Sequence, residues 1–266
     1  MSDQAMPGEP ITVAVYQAAL AGVPAAGKLD RLAQAIAGGP PADMVVCPEL
    51  FQSDYRAGQR LPVLAEAAAD FARGVAEIAA ANGCAIAYGY PEAEDGRLYN
   101  AARVIAGDGR MAANHRKLRL PGAYENTWFT CGDRLTDFSL RGWRVAVLIC
   151  YDIEFPELVR GCARRGAHLV IAPTALSDDW SVVSEKIVPT RAFENGVFVA
   201  YANHAGRDGE FRYLGGSCII GPDGQDRVRA GREEGLHAAR LLPRDIVAAR
   251  EKLKYLEDSQ SLGRFA

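Results

Sequence analysis

The run Val145–Ile149 is apolar at every position and rich in β-branched residues, so as a strand it must be covered on both faces. It stops abruptly at Cys150-Tyr151-Asp152, and Pro156 then offers a first-turn residue for a helix beginning Glu157-Leu158-Val159. A thiol at such a strand-to-helix turn can project its sulfur into a cleft, with backbone N–H groups beside it, which is the logic of a nucleophile elbow without the usual glycines. The competing reading is a core cysteine at the end of a buried strand, because free cysteine is often buried. This stretch alone leaves both open.

The flanking sequence repeats the pattern. Ile11–Tyr16 and Met44–Cys47 read as short buried strands, and Cys84–Tyr90, Leu169–Ala172, Val197–Tyr201 and His237–Leu242 as further strands. Helical spacing marks Lys28–Ala37, Ala67–Asn82 (with Phe71, Val75 and Ile78 on one face and Gly83 as its stop), Glu157–Arg165, Val183–Asn195 and Asp245–Tyr255. Pro189 marks a start or kink in the fourth of these. Leu98–Ala106 and Met111–Leu118 flank Gly107-Asp108-Gly109 as a hairpin, and Ser217–Ile220 with Gln225–Arg229 form another. Pro121–Arg134 reads as a loop before the strand Thr136–Leu140. Strands alternating with helices and mixed with hairpins imply an α/β layered fold with mixed sheets. No linker divides the 266 residues, so residues 1–266 are expected to be one domain with a frayed tail over 1–10.

Composition narrows the function classes. The formal net charge is -3 with no basic block, which disfavours nucleic-acid and membrane-surface partners. No apolar segment is long enough to span a bilayer, and MSDQAMPGEP lacks the basic and apolar regions of a signal peptide. Six scattered cysteines without a C-x-x-C pair argue for reduced thiols and a cytoplasmic setting. The four histidines show no zinc-binding spacing, so no metal is expected. Gly22–Lys28 nearly spells a phosphate-binding loop, but Leu29 stands where a hydroxyl is needed and Pro24 removes a donor. A distant histidine such as His204 could still pair with Cys150.

Three ionisable residues remain at strand ends: Glu49 after Met44–Cys47, Lys117 after the hairpin strand, and Cys150. Singly, Glu49 could cap a turn and Lys117 could be a solvated charge. Together they form a complete acyl-transfer set. A thiol with a reference pKa near ~8.5 needs a base, a buried carboxylate can be that base, and an ammonium can hold an oxyanion.

The order Pro48-Glu49, Arg116-Lys117 and Ile149-Cys150-Tyr151-Asp152 resembles the nitrilase superfamily of carbon–nitrogen hydrolases. Tyr88-Gly89-Tyr90 before Tyr99-Asn100, Phe129 and Gly132 after Glu125, and Arg191-Ala192 before Glu194-Asn195 extend the likeness over nearly the whole chain. The resemblance implies an α-β-β-α sandwich whose dimers pack into a larger one, and no cofactor. It implies Cys150 as nucleophile, Glu49 as general base, Lys117 as stabiliser of the tetrahedral intermediate, the Tyr151 N–H as a second oxyanion donor and Glu125 as a fourth polar residue. From its own surroundings Glu125 reads only as an exposed turn residue. Tyr55, Phe155, Thr174 and Trp180 are the candidate substrate contacts, with core packing as the alternative for Phe155 and Trp180. Asp178 or Asp179 could meet a substrate ammonium or simply be solvated.

Tyr151-Asp152 after the nucleophile, rather than Trp-Glu, resembles the aliphatic-amidase branch, that of the 5-aminopentanamidases. The implied activity is hydrolysis of a small linear monoamide, ω-amino amides included, by a homodimer or higher homo-oligomer. An N-carbamoyl amine or a nitrile is the alternative substrate, and a silent binding or assembly module the alternative of another class.

Overall fold

The computed structural model describes residues 6–265. The first half contributes strands β1 (Ile11–Gln17), β2 (Met44–Val46), β3 (Ala85–Glu94), β4 (Arg97–Ile105) and β5 (Met111–Arg116). The second half contributes β6 (Thr136–Leu140), β7 (Trp143–Val147), β8 (Leu169–Thr174) and β9 (Phe198–Asn203). The short β10 (Arg207–Asp208) and β11 (Phe211–Arg212) follow, then β12 (Cys218–Ile220), β13 (Asp226–Arg229) and β14 (Gly235–Leu241). Two six-stranded mixed sheets result, in the orders β14-β1-β2-β3-β4-β5 and β13-β12-β9-β8-β7-β6. Each has three parallel strands at its centre, β1-β2-β3 and β7-β8-β9, flanked by antiparallel partners.

The two-fold periodicity of the strands builds the layers. In β1, Val13 and Val15 point into a core shared with Trp143, Val145, Val147, Leu169, Ile171 and Phe198 of the other sheet. Ala14 and Tyr16 point the opposite way, onto helices α1 (Ala25–Gly38) and, beyond the short α2 (Leu61–Glu66), α3 (Ala68–Asn82). In α3, Phe71, Val75 and Ala79 recur at four-residue spacing and are all buried, and Gly83 closes the helix at φ 60. The outer face of the second sheet packs on α5 (Pro156–Arg164) and α6 (Val188–Asn195), which follow α4 (Gly122–Trp128) in the chain. The architecture is therefore the α-β-β-α sandwich. At roughly 1.5–3 kcal/mol per fully buried aliphatic or aromatic side chain, the inter-sheet core is its main cohesive layer.

Several expectations need correction. The ladder of the run Val145–Ile149 ends at Val147; Leu148 donates once more, to Ile171 O at 3.0 Å, before the chain turns. Pro121–Arg134 is interrupted by α4, and the expected last helix breaks at Leu253–Lys254 into α7 (Pro243–Lys252) and α8 (Tyr255–Asp258). Pro189 lies in the first turn of α6, preceded by one π turn, Val183–Ile187. Residues 6–10 are not a frayed tail, since Pro7 is buried and Trp143 Nε1 donates to Glu9 O at 2.8 Å; residues 1–5 lie outside the described residues. Among the described residues no helix is long and apolar enough to cross a membrane.

Candidate active site

Glu49 follows β2 in a tight turn in which Leu50 takes φ 49. The turn lies so close to β3 that a Cβ on Gly89 would stand 2.1 Å from Leu50 N and 2.6 Å from Glu49 C. Only glycine allows that approach. Glu49 N–H donates to Thr174 O at 3.3 Å, which ties the turn to the second sheet, and His204 Nε2 bonds Glu49 O at 2.7 Å. A carbonyl only accepts, so Nε2 carries the proton, and burial pushes the His204 pKa down to about 4. The imidazole is therefore a neutral strut behind Glu49. It is not a base for Cys150, and the Cys–His pair left open by the sequence is replaced by this arrangement.

Lys117 follows β5 and is fully buried, as are Glu49 and Glu125. Its Nζ donates at 2.6 Å to Glu49 Oε1 and at 2.6 Å to Glu125 Oε1. Asn100 Nδ2 donates to Glu49 Oε1 at 2.7 Å and lies 3.4 Å from Glu125 Oε2, while Tyr55 OH donates to Glu125 Oε1 at 2.7 Å. Glu125 is thus no exposed turn residue: α4 carries it inward because these three donors can compensate a buried carboxylate there. Beneath the lysine, Gly132 N–H donates to Lys117 O at 2.7 Å, and a Cβ on Gly132 would meet Arg116 O at 2.4 Å. Two oxygens of the cluster, Glu49 Oε2 and Asn100 Oδ1, are buried without a hydrogen-bond partner among the described residues.

Cys150 opens the short 3-10 segment Cys150–Glu154, with φ 45, a left-handed conformation costing a β-carbon residue about 1–2 kcal/mol. What holds it is Asp152. Its carboxylate accepts Ile149 N–H at 3.1 Å, Leu118 N–H at 3.0 Å and Arg119 N–H at 2.8 Å, so one side chain staples the cysteine turn to the segment after Lys117. His115 Nε2 lies 3.6 Å from the same carboxylate. Cys150 itself is buried, with 8% of its surface exposed.

The electrostatics separate the groups. Burial, with the Glu125 charge adding to it and Lys117 opposing, lifts the Glu49 pKa to about 7. Burial disfavours the Lys117 ammonium, but the charges of Glu49 and Glu125 outweigh it and hold its pKa above the usual lysine range. Burial and the Glu49 charge push the Cys150 thiol up, while Lys117 and an Ala175 N–H bond act against them. The cluster therefore presents a neutral thiol, a permanent cation and a carboxylate that exchanges a proton near neutrality. Groups so arranged can abstract a proton, attack an acyl carbon and hold an oxyanion.

The other sequence candidates divide. Tyr151 and Phe155 are half-buried and stack edge-on, 4.9 Å between centroids, beside the cysteine turn. Tyr55 joins the cluster through Glu125 and begins an aromatic arc: its ring stacks on Phe211 of β11 (5.9 Å), Phe211 on Tyr213 (4.9 Å), and Tyr213 on His204 (4.9 Å). Thr174 is fully buried with its hydroxyl turned back to Ala172 O, so it meets the site through its carbonyl and not its side chain. Trp180 is 60% exposed on a surface turn and forms no enclosed pocket wall. Asp178 pairs with Arg212 at 3.2 Å, which removes it as a free acceptor, and Asp179 is exposed. Lys28, from the near phosphate-binding loop, is buried and ion-paired to Asp54, closing that alternative. Asn100 and Asp152 receive no role from the sequence, only their positions within the family-like motifs signalling them, and the sequence offers His204 only as a partner for Cys150, not as the strut it is.

With this geometry in view, comparison with known proteins is informative. Residues 12–251 match the Carbon-nitrogen hydrolase family. The chain is 40% identical over 252 residues to a hydrolase encoded in the pqqF 5' region of Pseudomonas protegens, covering 92% of this chain and 88% of that one. It is 34% identical to an (R)-stereoselective amidase of Pseudomonas sp., covering 81% and 79%. A mutant of the Nesterenkonia AN1 amidase, described as from the nitrilase superfamily, superposes with a TM-score of 0.85 at 33% identity, covering 95% of each chain. That amidase has also been seen with the acetamide moiety of fluoroacetamide added covalently at its active site cysteine. Matches of this extent, on this sandwich, make the chain a member of the carbon–nitrogen hydrolases of the nitrilase superfamily, a hydrolase acting on amides.

Proposed function

We propose that the chain hydrolyses a small linear aliphatic monoamide, ω-amino amides included, to the carboxylate and ammonia through a thioester on Cys150. The observation that carries this reading is the buried Glu49–Lys117–Glu125 cluster acting on a cysteine held at an elbow. Glu49, with its pKa near about 7, takes the thiol proton as the sulfur attacks the amide carbon. The carbonyl oxygen becomes an oxyanion, met by the Lys117 ammonium and by the Tyr151 N–H, a first-turn donor without an acceptor inside its own turn. The C–N bond breaks, Glu49 passes its proton to the leaving nitrogen, and ammonia departs. Water then attacks the thioester with Glu49 again as base, releasing the carboxylate and the thiol.

Glu125 holds Lys117 together with Glu49, and Tyr55 fixes Glu125. No step uses a cofactor. The aliphatic substrate draws support from the covalent acetamide adduct on the Nesterenkonia amidase cysteine and from the half-buried Tyr151–Phe155 pair, which suits a slim apolar acyl chain. Homodimer assembly belongs to the same reading and is checked by light scattering.

The test is ammonia release across unsubstituted, ω-amino and ω-carboxy amides, with intact mass during turnover of a slow substrate. An acyl adduct is expected on the wild type and none on Cys150→Ala. An adduct persisting in Cys150→Ala, or carbon dioxide appearing with the ammonia, would refute the amide thioester.

A further inference from the structure

On β4 the side chains of Ala102 and Val104 belong to the core between the sheets, and the two-residue period puts Asn100 on that same face. Such a position ordinarily carries an apolar side chain, yet an asparagine stands there fully buried. Its amide is only half used. Nδ2 donates to Glu49 Oε1 at 2.7 Å and lies 3.4 Å from Glu125 Oε2, while Oδ1 has no partner among the described residues. Two carboxylate neighbours, which can only accept, require the NH2 end to face them. The main chain serves the same place, since Asn100 O accepts Lys117 N–H at 2.8 Å. Burying an amide with one end unpaired costs stability, so packing alone gives no reason for asparagine at this position.

The donors of the cluster are unevenly spread over its four carboxylate oxygens. Glu49 Oε1 accepts from Lys117 Nζ at 2.6 Å and from Asn100 Nδ2, one bond for each of its two lone pairs. Glu125 Oε1 is filled in the same way by Lys117 Nζ at 2.6 Å and Tyr55 OH at 2.7 Å. Glu125 Oε2 keeps the longer approach of Asn100. Glu49 Oε2 is buried with both lone pairs free. A base needs a free lone pair, so Oε2 is the Glu49 oxygen that can take a proton without first losing a bond. The kind of donor on Oε1 matters as well. A second ammonium there would hold Glu49 as too weak a base, and an apolar side chain would leave Oε1 open to compete with Oε2. A neutral amide does neither.

We propose that Asn100 is a positioning residue: with Lys117 it fills both lone pairs of Glu49 Oε1, and so makes Oε2 the atom that takes the Cys150 proton and returns it to the leaving nitrogen. This rests on the amide-hydrolysis reading above and names the atom through which that reading works. During attack the S–H bond breaks and an O–H bond forms on Oε2, while the sulfur electron pair goes to the acyl carbon. When the C–N bond breaks, its electron pair takes that proton from Oε2 and ammonia leaves. Oε1 stays bound throughout, so the carboxylate need not turn between the two transfers.

The experiment measures kcat and KM from pH 5 to 9, on the amide that the ammonia-release screen finds fastest, for the wild type, Asn100→Leu and Asn100→Asp. The Asn100 bond favours the charged form of Glu49 against the burial that raises its pKa to about 7. Losing the bond therefore raises that pKa further. In Asn100→Leu, of similar volume but without a donor, the acid limb of kcat/KM should move up by about one pH unit. Its plateau kcat should fall about 10- to 100-fold with KM changed less than about 2-fold, because the residue does not touch substrate. Asn100→Asp keeps the shape of the side chain and adds a third carboxyl to the cluster, so its limb should move up at least as far; it carries the test if Asn100→Leu does not fold. The position of the limb does not depend on how much protein folds. A limb that stays in place or moves down in the folded variants, or a raised KM with kcat kept, overturns this inference while wild-type turnover leaves the amidase reading standing. No turnover of any amide by the wild type, with no adduct on Cys150, overturns the amidase reading and this inference with it.

Discussion

Removing the Glu125 charge should move the acid limb of the pH–rate profile to lower pH. In the wild type, kcat/KM for an amide should rise with pH through an apparent value near about 7, because the base form of Glu49 is the active one and kcat/KM reports the free enzyme. Burial is the main reason for that elevation, and Glu125→Gln does not change it. The repulsion between the carboxylates is what the substitution removes. Both accept from the same nitrogen at 2.6 Å. Their acceptor oxygens therefore lie within about 5 Å, where two unit charges at an effective dielectric near 20 interact by about 3 kcal/mol, or roughly two pKa units. Part of this is offset because a glutamine in place of Glu125 can still accept from Lys117 and Tyr55. A fall of about one to two units is expected, the cluster titrating as one system. The Lys117 charge, no longer shared between two carboxylates, also acts on Glu49 alone, in the same direction. Initial rates of ammonia release between pH 5 and 9 supply the profile. An acid limb that stays in place or moves upward in Glu125→Gln would refute the assignment of Glu49 as the titrating base.

Other perturbations test the scaffold. Asp152→Asn keeps one acceptor but turns an NH2 group toward backbone donors; about 2–4 kcal/mol should be lost in urea unfolding, and kcat should fall about 100-fold as Cys150 shifts against Lys117. Gly89→Ala puts a methyl group 2.1 Å from Leu50 N, so the protein should be recovered insoluble or unfold with a loss above about 4 kcal/mol; a soluble variant with wild-type melting would contradict the close approach. Lys28→Met strands the buried Asp54 and should cost about 3–5 kcal/mol, whereas Lys28→Met with Asp54→Asn, which removes the charge, still accepts Gly22 N–H and tolerates φ 70, should recover part of it by thermal melting. Glu49→Gln should reduce turnover by at least about 1000-fold while leaving the circular dichroism spectrum native, since the base is lost and its volume kept.

The interior strands were legible because burial on both faces leaves an uninterrupted apolar run, and β1, β2, β8 and β9 sit where those runs fall. Glu49 and Cys150 could be picked out for the same reason, as ionisable residues at the ends of such runs, whereas Lys117 ends the half-exposed hairpin strand Met111–Arg116 and stood out only as the third member of the set. Glu125 could not be placed from its neighbours. Gly122–Trp128 has neither the length nor the periodicity of an independent helix, and its helical form depends on Glu125 reaching Lys117, Asn100 and Tyr55. Two-residue strands such as β10 and β11 carry no pattern at all. Thr174 misled for a related reason, since a hydroxyl at a strand end reads as a ligand contact until its hydroxyl is found on Ala172 O. Asp152 and His204 act on backbone groups brought together only by the fold, so no local signal gives their tasks away.

The two sheets divide the chemistry between them. Glu49 and Lys117 end strands of one, Cys150 ends a strand of the other, and the first sheet is completed only when Gly235–Leu241 pairs with Ile11–Gln17. A ribosome extending this chain must therefore make almost all of it before that outer strand can close. Until the sheets dock, the thiol has neither its base nor its cation and remains an ordinary, weakly ionised cysteine. The catalytic set is the last thing the polypeptide acquires, and a truncated or half-folded copy has a cysteine but no base and no cation with which to cleave an amide.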